Sequence, residues 1–321
     1  MAVFTTLDSH DIDAFLSGYD LGKLQRFEGI LSGVENTNYH IFTDTGRYVL
    51  TVHEGKVAES DLPYFLGLIQ HLSAAAIPTC EIIPRNDGAL YGHLKGKTAA
   101  ISVYLDGQGT APDDITDAQC AAAGEMLAKM HEAGEGFTVR RPNKMGLSKW
   151  QSLWGENEDK ADSVVEGQAA LVNDVFSDLI DVWPMLVTKD FPQGAVHCDF
   201  FPDNVFFKDA QLSGIIDFYY ACDEYFIYDL ALTINAWCFN AAAECIPARF
   251  DAMMQGYQKL RPLNDDERGI FGLMLQASAL RIQMTRLHDY LNHPGDDVVI
   301  PHDPKAFLER IKHWRANPPC A

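Results

Sequence analysis

Apolar residues alternate with polar ones in the first third of the chain and recur every three or four residues beyond it. Residues 39–42 and 48–52 are β-branched or aromatic runs separated by a turn that contains Asp44 and Gly46, so this region predicts a β-hairpin. Apolar residues at helical spacing predict a helix over residues 61–73. Further apolar runs predict three short strands, over residues 81–83, 90–94 and 98–105.

The pattern becomes helical after residue 105. Residues 106–109 are small, polar and rich in glycine, which favours a boundary between two domains, residues 1–105 and residues 106–321. Thr116 and Gln119 have the spacing of a capping box and predict the start of a helix over residues 117–132. The pattern therefore predicts a strand-rich first domain and a larger, mainly helical second domain.

Charge narrows the classes of partner. The chain has 321 residues with 25 Lys and Arg against 45 Asp and Glu, a formal net charge of −20. Such a field repels phosphate backbones and anionic lipids, so we expect neither nucleic-acid nor membrane binding. The longest apolar stretch, residues 230–243, is too short to span a membrane. Residues 1–15 lack Lys and Arg, and the seven cysteines form no C-x-x-C pair, which favours a cytoplasmic location.

One motif carries the chemistry. His197, Asp199 and Asn204 form H-x-D-x-x-x-x-N, and Asp217 follows at the end of the next apolar strand. In phosphoryl transfer from a nucleotide to a hydroxyl, one carboxylate orients the hydroxyl, while an amide and a second carboxylate hold Mg²⁺. A lone Asp is more often a turn residue or helix cap, but the joint spacing favours the catalytic interpretation.

This motif resembles the catalytic loop and metal-binding Asp of the protein-kinase-like superfamily. Residues 35–39, 48–51, 62–66 and 216–222 narrow the resemblance to the aminoglycoside and choline phosphotransferases, and within them to the bacterial homoserine kinases. The resemblance implies an α+β fold with a small antiparallel-sheet N-lobe and a larger helical C-lobe. It also implies ATP and Mg²⁺ as cofactors and phosphorylation of L-homoserine in threonine biosynthesis.

The resemblance further assigns roles to residues. Asp199 is expected to be the catalytic base, Asn204 and Asp217 the metal ligands, and His197 and Asp229 structural supports. Residues expected at the nucleotide are Ser32, Gly33, Asn36 and Asn38 around the phosphates, and Val103 and Leu105 at the adenine hinge. Residues expected at the substrate are Arg281 and Arg286 for the carboxylate, Asp223 or Glu224 for the ammonium, and Tyr219 in the pocket wall.

The sequence also departs from this pattern. Thr51 stands where many relatives carry a Lys that contacts the α- and β-phosphates. Lys56, Arg47, His53 or the metal alone are the alternatives for that missing positive charge. A kinase of another small alcohol, such as choline, an aminoglycoside or methylthioribose, remains a competing interpretation, as does a non-catalytic nucleotide-binding pseudokinase.

Overall fold

The computed structural model describes residues 4–31, 36–55, 57–189, 191–293 and 301–319. The chain divides into two units. The first contains residues 1–107 together with 213–219, and the second contains residues 108–212 and 220–321. The short segment 213–219, which carries Asp217, therefore belongs to the first unit, whereas a single boundary after residue 105 assigns it to the second.

Among its described residues, the first unit contains an antiparallel sheet and two α-helices. The sheet has five strands in the order β1-β2-β3-β5-β4. Its strands are β1 (Leu24–Gly29), β2 (Thr37–Thr43), β3 (Arg47–Val52), β4 (Gly92–Leu94) and β5 (Lys97–Val103). The helices are α1 (Ser9–Leu16) and α2 (Leu62–Ala74). The structure thus confirms the predicted hairpin and the predicted helix over residues 61–73.

Two details of this unit differ from the sequence-based expectation. Residues 81–83 form no regular strand and instead make isolated contacts with β5, in which Ile83 N–H donates to the Ile101 carbonyl at 2.8 Å and Val103 N–H donates to Glu81 at 2.9 Å. The sequence pattern also gave no indication of α1 or β1. The short helix α1 begins with a capping box between Asp8 and Asp11.

The two faces of the sheet differ in character. Side chains alternate between faces along a strand, so the side chains of Leu50 and Val52 in β3 are on one face of the sheet and that of Thr51 is on the other. Leu50 and Val52 are buried in an apolar cluster with Ile12 and Phe15 of α1. Thr51 is paired with Asn38 across the β2–β3 ladder and lies on the other face. That other face is therefore the polar side of β3.

The second unit is mainly helical among its described residues. Its helices are α3 (Asp117–Glu135), α4 (Leu147–Val164), α5 (Gln168–Thr188), α6 (Phe226–Trp237), α7 (Pro247–Gln258), α8 (Asp265–Leu291) and α9 (Lys305–Ala316). The predicted capping box of Thr116 and Gln119 is present at the start of α3. No helix in the described part of the chain is long and apolar enough to cross a membrane.

Four short strands surround the catalytic motif. They are β6 (Gln193–Val196), β7 (Val205–Lys208), β8 (Gln211–Ile215) and β9 (Cys222–Tyr225). β6 pairs with β9, with Val196 opposite Cys222, and β7 pairs with β8. The chain leaves β6 directly into the motif, and it enters α6 directly after β9.

Helices α3 and α7 approach closely because glycines lie at their crossing. A Cβ on Gly124 would lie 2.2 Å from the Met253 carbonyl oxygen, and a Cβ on Gly256 would lie 2.1 Å from that of Ala121. We expect Gly124→Ala to lower the free energy of unfolding by about 1–3 kcal/mol, because the helices must separate to admit the methyl group. Urea unfolding followed by circular dichroism measures this change.

Gly155→Ala is the matched control. Gly155 lies inside α4, and no atom comes within 4 Å of the position of its added Cβ. Alanine is the better helix former, so this variant should gain about 0.5–1 kcal/mol. If both variants shift stability in the same direction, close helix approach does not explain the glycine at position 124.

Candidate active site

The catalytic motif forms the loop between β6 and β7. Asn204 Nδ2 donates to both the backbone carbonyl of Asp199 and its carboxylate Oδ2, each at 3.0 Å. The two bonds fix the Asp199 side chain relative to its own backbone. Both bonds use the amide nitrogen, and no hydrogen bond from a described residue occupies Asn204 Oδ1, the atom suited to a hard cation.

Cys198 gives this loop an unusual backbone conformation. Its φ is +57°, in the left-handed region that L-residues rarely adopt. Contacts hold both of its backbone groups: the N–H donates to Asp229 Oδ1 at 2.8 Å, and the carbonyl accepts from Arg281 Nη1 at 2.8 Å. The surrounding structure therefore imposes the conformation that immediately precedes Asp199.

Asp229 is the central acceptor beneath the loop. Its buried carboxylate receives the N–H groups of His197, at 3.2 Å, and of Cys198, and it also bonds to His131 Nε2 at 3.0 Å. Burial raises the pKa of Asp229, but the bonds from His131 and the loop outweigh that effect and hold it below its usual value. Burial also lowers the pKa of His131, so we assign a carboxylate beside a neutral imidazole.

Further contacts extend this bracing. His197 Nδ1 accepts the N–H of Asp199 at 3.2 Å, which closes a tight local turn. Trp237 Nε1, at the end of α6, donates to the Phe200 carbonyl at 2.8 Å. His131 Nε2 must carry its proton toward Asp229, so Nδ1 accepts from the Tyr257 hydroxyl at 2.7 Å. Side chains from α3, α6, α7 and α8 thus converge on one loop.

Asp217 lies in the first unit, two residues beyond β8. It is half-buried and has φ of +65°, a second left-handed residue in the motif. The pKa of the Cys80 thiol rises to about 12, chiefly through burial and to a smaller degree through the charge of Asp217. The structure thus holds this carboxylate in a partly desolvated environment, where it would bind a cation more strongly than at an open surface.

The predicted phosphate-binding residues are only partly described. Ser32 and Gly33 lie outside the described residues. Asn36 Oδ1 accepts the Glu54 N–H at 3.2 Å, and Asn38 Oδ1 accepts the Thr51 hydroxyl at 2.7 Å. Both asparagines therefore brace the end of β3 through their side-chain oxygens, and their contact with phosphate stays a prediction.

The structure discriminates among the groups considered for the missing positive charge. His53 is buried, and both ring nitrogens are engaged: Nδ1 lies 3.1 Å from Thr98 Oγ1, and Nε2 lies 3.0 Å from the Tyr219 hydroxyl. Burial lowers its pKa to about 4, so it is neutral near pH 7 and cannot supply the charge. Arg47 is at the opposite end of β3, stacked 3.4 Å over the Tyr104 ring, and Lys56 lies outside the described residues.

At the predicted hinge, the Val103 N–H is occupied by the Glu81 carbonyl at 2.9 Å. The Leu105 side chain packs against Gly214, where an added Cβ would come within 2.7 Å of Leu105 Cδ1. An adenine contact would therefore use hinge groups other than the Val103 amide. The nucleotide role of both residues stays a prediction.

The residues predicted at the substrate have four different environments. Arg281 is buried beneath the catalytic loop, as described above. Asp223 accepts from Arg140 Nη1 at 2.8 Å and from the Arg141 N–H at 2.5 Å, so its carboxylate ties a neighbouring loop to β9. The Tyr219 hydroxyl is hydrogen-bonded to His53 Nε2 within the first unit, at 3.0 Å. Arg286 packs 4.6 Å from the Phe307 ring centroid, and no hydrogen bond or ion pair joins it to another described residue.

Residues 26–263 match the Phosphotransferase enzyme family. Among curated proteins, the homoserine kinase of Rhizobium etli is 41% identical over 315 residues, covering 98% of this chain and 96% of the relative. The homoserine kinase of Rhodospirillum rubrum is 40% identical over 316 residues, covering 98% and 97%. The chain therefore belongs to the Phosphotransferase enzyme family, and the resemblance inferred from its motifs is confirmed.

Solved structures show the same fold. An amicoumacin kinase in complex with AMP-PNP and Ca²⁺ aligns with a TM-score of 0.70 at 15% identity, covering 98% of this chain and 95% of that chain. An aminoglycoside phosphotransferase from Alicyclobacillus acidocaldarius aligns with a TM-score of 0.68 at 15% identity, covering 97% and 94%. The predicted kinase-like α+β fold is confirmed.

The sequence motif does not identify several residues that support the site. Trp237, Tyr257 and His131 act on the catalytic loop from distant helices. His131 shares the buried apolar face of α3 with Leu127 and Met130. A buried polar side chain on an apolar helical face is the signal that could have pointed to such a partner.

The buried His53 makes stability depend on pH. Its folded-state pKa is about 4, whereas an exposed histidine titrates near 6.5, so between these values the unfolded chain binds more protons. We expect this residue to remove about 3 kcal/mol from the free energy of unfolding as pH falls from 6.5 to 4. The pH dependence of urea unfolding in wild type and in His53→Gln measures the difference.

The slope, rather than the absolute stability, decides this prediction. His53→Gln should show a flatter decline over the same pH range, because glutamine does not titrate. His10→Gln, at an exposed position, is the control and should follow the wild-type slope. Parallel curves for wild type and His53→Gln contradict the prediction.

Proposed function

We propose that this chain transfers the γ-phosphate of ATP to the side-chain hydroxyl of L-homoserine, as a step of threonine biosynthesis. The observation that carries the chemistry is the braced loop in which Asn204 bonds Asp199 at its carboxylate and its backbone. The acceptor is supported by curated homoserine kinases about 40% identical to almost the whole chain. The fully intact motif favours an enzyme over a nucleotide-binding protein without turnover.

Asp199 orients the attacking hydroxyl. The transition state of phosphoryl transfer is loose, so catalysis depends more on the position of the hydroxyl than on early removal of its proton. The half-buried carboxylate keeps one oxygen bonded to Asn204 Nδ2. The carboxylate can receive the substrate hydroxyl proton as the oxygen–phosphorus bond to the substrate forms and the bond between the γ-phosphorus and the ADP oxygen breaks.

The proposed Mg²⁺ ligands are Asn204, which belongs to the second unit, and Asp217, which belongs to the first. An amide oxygen and a carboxylate are the hard donors that Mg²⁺ prefers, and Mg²⁺ commonly takes its other ligands from phosphates and water. In the described part of the chain, no group of three or more His, Cys, Asp and Glu could hold a metal without such help. The donors therefore fit a metal that arrives with the nucleotide, where it would neutralise phosphate charge.

Arg286 is the proposed partner of the substrate carboxylate. Arg281 already donates to the Cys198 carbonyl, whereas Arg286 has no anionic partner in hydrogen-bond contact among the described residues. Burial lowers the pKa of Arg286, and the charges of Asp303 and Asp203 oppose that lowering. Asp203 directly precedes Asn204, so Arg286 lies within electrostatic range of the catalytic loop, where a carboxylate could bind it bidentately.

We also propose that the reaction takes place in the cytoplasm. Cys80, Cys120, Cys198, Cys222, Cys238 and Cys245 are free thiols in the structure. The seven cysteines of the chain are odd in number and form no C-x-x-C pair, which favours a reducing compartment.

Removal of the Asp199 carboxylate tests the proposed chemistry. We expect Asp199→Asn to lower kcat by about 10²–10⁴-fold, since the hydroxyl loses its orienting base. Binding of Mg·AMP-PNP should stay within about twofold of wild type, because Asp199 is not a proposed metal ligand. ADP release with homoserine and calorimetric titration of the nucleotide measure the two quantities.

Asp209→Asn, in the exposed turn between β7 and β8, is the matched control and should retain wild-type turnover. Wild type should be assayed with homoserine, serine, choline, kanamycin and methylthioribose. Turnover confined to homoserine supports the proposal. Turnover with another alcohol instead would overturn the choice of homoserine as substrate but support the proposed phosphoryl transfer. Nucleotide binding without turnover on any acceptor contradicts the assignment as a kinase of these alcohols.

Arg286→Lys tests the substrate assignment. Lysine keeps the charge but loses bidentate geometry, so we expect KM for homoserine to rise about tenfold or more while KM for ATP changes less than twofold. Arg281→Lys should instead lower kcat, because it weakens the contact with the Cys198 carbonyl. Arg268→Lys, exposed on the same helix, is the control. An unchanged KM for homoserine in Arg286→Lys rules out this role.

A further inference from the structure

The segment that carries Asp217 is anchored just before that residue. Ile215, the last residue of β8, donates its N–H to the Pro78 carbonyl at 2.8 Å and accepts the Cys80 N–H at 3.2 Å. All of these residues belong to the first unit. Two backbone bonds therefore fix the chain two residues ahead of Asp217.

Asp217 itself needs such support. A φ of +65° in a residue with a Cβ costs about 1–2 kcal/mol relative to the right-handed region. The chain keeps such a conformation only where contacts on both sides prevent it from relaxing. The contact before Asp217 is the one with residues 78–80, so the contact that follows Asp217 is equally important.

Tyr219 provides that second anchor. Its hydroxyl lies 3.0 Å from His53 Nε2, and the two rings meet edge to face with centroids 5.4 Å apart. His53 Nδ1 lies 3.1 Å from Thr98 Oγ1 on β5. The Tyr219 ring also packs edge to face on Phe65 of α2, at 5.6 Å. Thr98, His53 and Tyr219 thus link the central strands of the sheet to the segment just beyond Asp217.

The position of His53 shows which groups the end of β3 presents on the face that carries Thr51. It follows β3 two residues after Thr51 and lies on the same polar face. The neighbouring charged pair, Lys97 with Glu54, lies on the opposite face, where Lys97 Nζ also contacts Thr5 Oγ1 at 2.7 Å. On its polar face, the end of β3 therefore supplies a neutral imidazole bonded to Tyr219 and no described cation.

We propose that His53, acting through the Tyr219 hydroxyl, is a positioning residue that holds the carboxylate of Asp217 in place to bind the metal. This proposal rests on the proposed function, in which Asp217 is a metal ligand. It extends that function by assigning a role to the end of β3, the strand on which Thr51 stands where the kinase-like resemblance implies a lysine. His53 and Tyr219 touch neither substrate nor metal in this role.

Metal affinity tests the proposal directly. The experiment titrates Mn²⁺ into protein with AMP-PNP and measures free Mn²⁺ by electron paramagnetic resonance, without any acceptor alcohol. Tyr219→Phe removes only the hydroxyl, and His53→Leu removes both ring nitrogens. We expect each to weaken Mn²⁺ binding about tenfold, the usual cost of losing a residue that orients a metal ligand. His53→Gln places an amide oxygen near the position of Nε2 and should recover most of the wild-type affinity.

Tyr39→Phe is the matched control. The Tyr39 hydroxyl is also buried in the first unit, where it donates to the Thr5 carbonyl at 2.9 Å and accepts the Leu7 N–H at 3.1 Å. Its loss should lower thermal stability without changing Mn²⁺ affinity. Wild-type affinity in Tyr219→Phe overturns the proposal, as does an equal loss in Tyr39→Phe. If His53→Leu fails to fold, Tyr219→Phe alone decides.

Turnover separates this proposal from the proposed function. Tyr219→Phe should lower kcat at limiting Mg²⁺ about tenfold and recover at high Mg²⁺, while KM for homoserine changes less than twofold. A rise in KM for homoserine alone would instead place Tyr219 in the substrate pocket and overturn the positioning role. If wild type binds Mn²⁺ with AMP-PNP but does not phosphorylate homoserine, the proposed function fails while the Mn²⁺ titration still decides the role of His53.

Discussion

The buried carboxylate of Asp229 is the interaction on which the catalytic loop depends. A fully buried anion is costly unless hydrogen bonds replace its lost hydration, and here the replacements are two loop amides and the His131 imidazole. The same bonds hold Cys198 in a left-handed conformation, and Arg281 fixes the adjacent carbonyl. One charge thus satisfies its own hydrogen-bonding needs and sets the backbone that presents Asp199. The topology makes this possible, because β9 pairs with β6 and leads straight into α6, whose first turn carries Asp229.

The parts of the fold that could be predicted from the sequence are those with a strong local pattern. The β2–β3 hairpin, α2 and the capped start of α3 each have apolar periodicity together with turn or cap residues. β1 was missed because it is an edge strand in which exposed and half-buried residues give no clear alternation. Residues 81–83 have the composition of a strand, but Ile82 and Ile83 reach β5 through isolated contacts only.

The candidate site likewise has a part that could be predicted from local sequence and a part that could not. The spacing of Asp199 and Asn204 is a local property, and the two side chains do meet in the loop. The partners that hold them lie far away in sequence: Arg281 is 83 residues from Cys198, and Tyr219 is 166 residues from His53. On α8, Arg281 and Arg286 were equivalent from the sequence, and only packing distinguishes a guanidinium bonded to the loop from one without an anionic partner. Likewise, no pattern indicated that Asp223 would be engaged by Arg140.

The neutral end of β3 bears on how a strongly acidic protein binds a nucleotide. With a net charge of −20, the average field repels free ATP, and the kinase-like resemblance implies a lysine at the position of Thr51 that would offset this field locally. Here Thr51 bonds to Asn38, His53 is neutral, and the nearby Lys97 is paired with Glu54 on the other face. At this end of β3, the described residues of the polar face therefore add no positive charge, whereas Arg47 lies at the other end of the strand. Under the proposed function, a divalent metal held by Asp217 would supply part of this compensation, so the geometry around Asp217 would matter more than it does beside a lysine.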